Sequence, residues 1–160
     1  MTKKQIAIGY DARGEQVKGA VIKAIKSLGH VISFEMTAGD YPVSAVAIAE
    51  AVALPKEEDE SDFGILICGT GIGMSMAANK MPGVRAAHVC TTYQSQMCRE
   101  HNDANVLCLG ATPHDQCAKI EDLVTLFLET EFSGESRHCN RISAITRLET
   151  GGTCSKSSAS

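Results

Sequence analysis

A chain of 160 residues with 21% charged and 44% apolar side chains has the make-up of one soluble globular domain with room for a sizeable core. Its net charge of −4 argues against nucleic acid as the main partner, and no apolar segment is long enough to span a membrane. Met1–Gln5 runs straight into a short apolar strand, so no secretory leader is expected and the compartment is read as cytoplasmic.

The elements follow in order. Lys4 to Gly9 reads as a strand. Val17, Ala20, Val21, Ala24, Ile25 and Leu28 recur at helical spacing, which predicts a helix over Gly14–Leu28 with Gly29 as its stop. Val31–Phe34 is a second strand. Tyr41-Pro42 opens a helix that runs to Val52, and the acidic stretch Pro55–Asp62 reads as a solvated loop. Phe63–Cys68 is a third strand. It breaks into a glycine turn and a helix reaching about Lys80, and Met81-Pro82-Gly83 then turns the chain into a fourth strand, Val84–Val89. A helix over Thr92–His101, a strand over Asn105–Leu109, a long amphipathic helix over His114–Glu131 with Cys117 on its apolar side, and a last helix over Arg137–Thr150 complete the domain. Gly151–Ser160 is Gly/Ser-rich and is expected to be a disordered tail, which leaves residues 1–150 as a single domain without internal repeats.

Strands alternating with helices predict an α/β fold, a three-layer α/β/α sandwich around a five-stranded parallel sheet of Rossmann-like type. Ligands of such sheets sit at the carboxyl ends of the strands near the topological switch. Three segments share that rim: Gly9-Tyr10-Asp11, Cys68 to Ser75, and Gly110.

The densest chemical signal is Ile67-Cys68-Gly69-Thr70-Gly71-Ile72-Gly73-Met74-Ser75. Positions without side chains let backbone N–H groups approach a ligand, and a helix start just beyond favours an anion. Cys68 and Thr70 would stand at the lip of that cradle as a thiol and a hydroxyl. The same glycines could equally permit nothing more than close packing. A dinucleotide site is disfavoured, because the third glycine of the fingerprint is absent and no acidic residue ends the next strand.

Seven cysteines (68, 90, 98, 108, 117, 139 and 154) at irregular spacing with no CxxC pair predict free thiols rather than disulfides. Cys98 and His101 lie three apart on a helix, but no second ligand pair accompanies them, so neither a metal nor a cofactor is expected. A free cysteine is ordinarily a small core residue, and only Cys68 has a context that points beyond that. His101, placed by this reading near the sheet rim, is a candidate acid/base, although a lone His before a turn is more often structural. Arg137 and Arg141 fall one helical turn apart, as suits a phosphate or simply a solvated basic face.

Together these segments resemble the type B ribose-5-phosphate isomerase family, which includes galactose-6-phosphate and allose-6-phosphate isomerases. The resemblance covers about Lys4 to Glu149. Besides the glycine segment it is carried by Gly9-Tyr10-Asp11, Asp40-Tyr41-Pro42, Ala78-Asn79-Lys80, Gly83-Val84-Arg85-Ala86, His101-Asn102-Asp103-Ala104-Asn105-Val106-Leu107 and Arg137-His138-x-x-Arg141. It implies a metal-free aldose–ketose isomerase acting through an enediolate on ribose 5-phosphate and ribulose 5-phosphate. It also implies a homodimer or dimer of dimers with the site shared between subunits. By the same resemblance Cys68 is the base, His101 helps to open the sugar ring, and Thr70 assists transfer between the two oxygens. The amides of Gly69, Gly71, Ile72, Gly73 and Ser75 hold the enediolate, Asp11, Tyr41 and Asn102 contact the sugar, and Arg137, His138 and Arg141 meet the phosphate.

Two positions depart from the family pattern. Asp-His after the first strand is here Asp11-Ala12, and the basic residue that often follows the glycine ending the fifth strand is here within Gly110-Ala111-Thr112. His114 and Arg13 are the candidates to compensate. The rival readings are the same chemistry on a tetrose or hexose phosphate such as allose 6-phosphate or galactose 6-phosphate, and a non-catalytic sugar-phosphate-binding domain.

Overall fold

The computed structural model describes residues 2–53, 61–112 and 117–154. The strands are β1 (Gln5–Tyr10), β2 (Val31–Thr37), β3 (Phe63–Cys68), β4 (Ala86–His88) and β5 (Val106–Gly110). The helices are α1 (Lys18–Ser27), α2 (Tyr41–Ala53), α3 (Ile72–Ala78), α4 (Thr92–Glu100), α5 (Ile120–Glu129) and α6 (Ser136–Glu149). All strand pairs are parallel, in the order β2-β1-β3-β5-β4. The order reverses between β1 and β3, which makes their carboxyl ends the switch point.

Alternation along the central strands builds the two cores. Ile6, Ile8, Ile65, Ile67, Leu107 and Leu109 face one side and pack with Val21 and Ile25 of α1, Cys98 of α4, and Leu123 and Phe127 of α5. Ala7, Leu66, Cys68, Val106 and Cys108 face the other and meet Ala45, Ile48 and Ala49 of α2 and Met74 and Ala78 of α3. The expected α/β/α layering is therefore what forms.

Several boundaries differ from expectation for local reasons. The chain after β1 makes one 3-10 turn, Gly14–Gln16, before α1 begins at Lys18. Gly14 sits so close to β3 that a Cβ there would lie 2.5 Å from the Ile67 carbonyl oxygen, and a continuous helix could not follow that approach. β4 starts only at Ala86, since the Arg85 N–H is donated to the Asn105 side chain at 2.8 Å. Of the acidic loop, residues 54–60 lie outside the described residues, whereas Asp62 accepts from the Gln5 N–H at 2.8 Å and so ties the start of β3 to β1. Gly151 and Gly152 close α6 by donating to Leu148 and Arg147 carbonyls, and residues 155–160 of the expected tail lie outside the described residues, as does His114.

The expectation that disulfides are absent is overturned. Cys90 and Cys117 form one, with Cα atoms 4.7 Å apart. Cys117 accordingly lies before α5 and not on its apolar face. The pairing is tertiary: β4 and β5 are neighbours, so the residue just past β4 meets the segment leading into α5, across a sequence separation of 27. Cys68, Cys98, Cys108, Cys139 and Cys154 are free.

Candidate active site

At the switch point the turn after β1 is bound to the end of β3. The Asp11 N–H donates to the Ile67 carbonyl at 3.2 Å. The Asp11 carboxylate accepts from the Arg13 and Gly14 N–H groups, each at 2.9 Å. Asp11, read from sequence as a sugar contact, thus spends one oxygen on building the turn.

Beside it runs the glycine segment. Cys68 is the last residue of β3 and is 5% exposed. The Gly71 N–H donates to its Sγ at 3.2 Å, so the sulfur already has a backbone donor aimed at it. Gly71 adopts φ +78°, a conformation open to glycine at little cost. Thr70 is exposed at the lip, and its Oγ1 accepts from the Ile72 N–H at 3.4 Å. Ser75 is turned to a structural use: its hydroxyl donates to the Ala86 carbonyl at 3.3 Å, and Asn79 bonds the same residue twice, which fixes α3 to β4.

The close-packing reading of the glycines holds here, because each makes room for a different side chain. A Cβ on Gly69 would meet Arg13 Nη1 at 2.8 Å. On Gly71 it would meet His88 Cδ2 at 2.7 Å, and on Gly73 the Tyr41 ring at 2.8 Å. The backbone is the floor of the site, and Arg13, His88 and Tyr41 are its walls. His88 was not singled out from sequence, where it is a lone histidine ending a short strand and only the sheet order brings it to Gly71. A cavity of about 550 Å³ opens from this floor and is lined by Arg13, Gly69, Thr70, His88 and Thr112, with Val89, Ile120 and Leu123 behind them.

The remaining expected residues are elsewhere. His101 follows α4, which begins at the carboxyl end of the sheet under a Thr91–Gln94 capping box and carries the chain back. His101 therefore stands at the amino end of the strands, opposite the rim on which the sequence reading put it. There its ring stacks on His138 with centroids 4.3 Å apart. Asp103, at φ +46°, accepts from Arg85 Nη2 at 3.0 Å and Arg99 Nη1 at 2.7 Å, which fixes the His101–Asp103 turn. His138 is 2% exposed and its Nδ1 shares a hydrogen bond of 2.8 Å with the Ser133 hydroxyl. Burial holds the His138 imidazole below its ordinary pKa, and the neighbouring His101 and Arg137 push the same way. Arg137 pairs with Glu135 at 2.8 Å, and Arg141 is exposed one turn further along α6. Asn102 is exposed in the same cluster. A groove of about 610 Å³ between α6 and the start of β4 lies at this end too, lined by Met81, Val84, Cys98, Ile145 and Leu148. It lacks a nucleophile beside a glycine floor.

The candidate residues thus form two groups. One, with Asp11, Tyr41, Cys68, Gly69, Thr70, Gly71, Ile72 and Gly73, holds a thiol, a hydroxyl and backbone donors, suited to moving a proton next to an oxyanion. The other, with His101, Asn102, Arg137, His138 and Arg141, holds imidazoles and guanidiniums, suited to a phosphate and to proton relay. The two groups occupy opposite ends of the sheet within one chain.

The sequence model of the Ribose/Galactose Isomerase family matches residues 6–145. Ribose-5-phosphate isomerase B of Escherichia coli K12 is 39% identical over 153 residues, covering 91% of this chain and 97% of that one. D-erythrulose-4-phosphate isomerase of Pectobacterium atrosepticum is 35% identical over 135 residues, covering 81% and 85%. The structure of Trypanosoma cruzi type B ribose 5-phosphate isomerase superimposes with a TM-score of 0.82 at 38% identity, covering 94% of this chain and 99% of that chain. A match across nearly every element that carries the two groups assigns this chain to the Ribose/Galactose Isomerase family.

Proposed function

We propose that this protein interconverts ribose 5-phosphate and ribulose 5-phosphate, an aldose–ketose isomerisation of the pentose phosphate pathway. The observation that carries the reading is Cys68, a nearly buried thiol with a backbone donor on its sulfur, at the mouth of a glycine floor on the switch point. The Cys68 thiolate takes the proton from C2 of the open-chain aldose. The C1 carbonyl oxygen gains the negative charge, and the free amides of the floor hold the resulting enediolate. Preorganised donors of this kind are usually the largest single contribution to rate. The Thr70 hydroxyl passes a proton between O1 and O2, and Cys68 returns its proton to C1. The reaction is redox-neutral within one molecule, so a proton carrier is all that it requires.

Ring opening needs an acid/base at the ring oxygen, and His101 of the same chain is at the far end of the sheet. We therefore read the working unit as a homodimer, alone or paired into a dimer of dimers, in which His101, Asn102 and the Arg137–Arg141 face of one copy complete the Cys68 floor of the other. We place the enzyme in the cytoplasm. Five free cysteines suit a reducing compartment, and the Cys90–Cys117 bridge is the exception to that pattern.

Four-, five- and six-carbon aldose phosphates, assayed for turnover and for uptake of deuterium from heavy water at C1 or C2, test the reading. Wild-type protein exchanges and isomerises ribose 5-phosphate, and Cys68→Ala does neither while retaining its fold. An Ala variant that keeps near-wild-type exchange removes Cys68 as the base. A second substrate reading is favoured by Ala12 and Thr112 and by the likeness to an erythrulose-phosphate enzyme. It predicts that the tetrose phosphate gives the highest kcat/KM of the panel. A binding domain without chemistry predicts no exchange from any of them.

A further inference from the structure

We propose that Arg13 reads the phosphate group on this chain's half of the site, doing from the turn after β1 what a cation at position 112 would do from the turn after β5; this rests on the sugar-phosphate reading above. The turn is built to present it. Asp11 holds the Arg13 and Gly14 N–H groups at 2.9 Å each, and Gly14 lets the turn close onto the Ile67 carbonyl. The side chain then lies across Gly69, with Nη1 2.8 Å and Cδ 3.0 Å from where a Cβ would be. Any larger residue at 69 would displace it.

Position 112 flanks the same peptide. The Thr112 N–H donates to the Gly69 carbonyl at 3.0 Å. Residues 13 and 112 therefore approach Gly69 from two loops, and the cavity that opens there is lined by Arg13, Gly69, Thr70, His88 and Thr112. Among the described residues no carboxylate forms an ion pair with Arg13: Glu15 is engaged by Lys18 at 2.8 Å, and one Asp11 oxygen is engaged by the turn. An unpaired planar guanidinium beside a hydroxyl and a concave opening is matched in charge and geometry to a phosphate monoester, which it can grip through two parallel N–H donors.

The test compares Arg13→Met, Arg13→Lys and Arg13→Met/Thr112→Arg with wild type, using ribose 5-phosphate, unphosphorylated ribose, and inorganic phosphate as a competitive inhibitor. Removing the contact raises both the KM for the sugar phosphate and the inhibition constant of inorganic phosphate roughly 10- to 100-fold, and the KM for ribose changes far less. Lysine recovers part of the loss, and arginine at 112 recovers more, which separates a charge effect from misfolding. If wild type isomerises the sugar phosphate and Arg13→Met leaves both constants within about twofold, the assignment is wrong. If wild type isomerises no sugar phosphate, the functional reading fails instead. Calorimetric binding of inorganic phosphate to wild type and Arg13→Met then decides the residue's role alone: weakened binding in the variant supports an anion site at Arg13, and equal binding overturns it.

Discussion

Mixing two inactive variants measures how the site is assembled. Cys68→Ala removes the proposed base and His101→Asn the proposed ring-opening group. Asn105 is level with Gly64, whose N–H donates to its carbonyl at 2.9 Å, and Cys68 is level with Gly110. The strand between Gly64 and Cys68, at about 3.3 Å per residue, puts roughly 13 Å between the two levels, several times a proton-transfer distance. One chain cannot bring these side chains onto one sugar. In a two-fold dimer with shared sites, a mixed dimer has one site with both lesions and one with neither. Random exchange of equal amounts makes about half the dimers mixed, so specific activity returns to roughly a quarter of wild type from two nearly dead preparations. The assay is ribulose 5-phosphate formation over time, with subunit exchange followed by native mass spectrometry. Complete exchange with no recovered activity would refute the shared site.

Two further outcomes concern stability. His138 and His30 are both held below the ordinary imidazole pKa, chiefly by burial. The unfolded chain then binds more protons than the folded one as pH falls through the ordinary value of about 6.5, so stability is complete above that range and declines below it. Urea midpoints across pH 5 to 8 check this, and His138→Gln flattens the slope; an unchanged slope rules out His138 as a contributor. The Cys90–Cys117 bridge closes a loop with a sequence separation of 27, worth about 3 to 4 kcal/mol of unfolded-state entropy, so a reductant lowers Tm by roughly 10 °C. A Cys90→Ser/Cys117→Ser variant shows the lower Tm without reductant, and identical melting of all forms would show that the bridge adds nothing.

Much of the fold was legible because its signals are local. The apolar run Phe63–Cys68 ending in glycines, the helical spacing from Val17 to Leu28 and the Tyr41-Pro42 helix start each specify an element from adjacent residues alone. What the sequence did not show depends on which strands become neighbours. The proximity of Cys90 to Cys117, and of His88 to Gly71, exists only once β4 takes the edge beside β5. The position of His101 at the amino end of the sheet has a different origin. Its position just before β5 could be read as near the sheet, but a parallel sheet puts the residue before a strand and the residue after it at opposite ends. Ser75 and Asp11 were recognised as belonging to the site's vicinity, while the hydrogen bonds that commit Ser75 to β4 and one Asp11 oxygen to its own turn were not visible in residue type.

The separation of floor from walls bears on how such a site can diversify. The donors of the floor belong to the main chain between Gly69 and Gly73, and a point substitution elsewhere leaves those N–H groups in place. The walls come from three independent segments: Arg13 from the turn after β1, Tyr41 from the start of α2, and His88 from the end of β4. Each wall can therefore be exchanged on its own, reshaping the room above the floor while the main-chain donors proposed to steady an enediolate stay where they are.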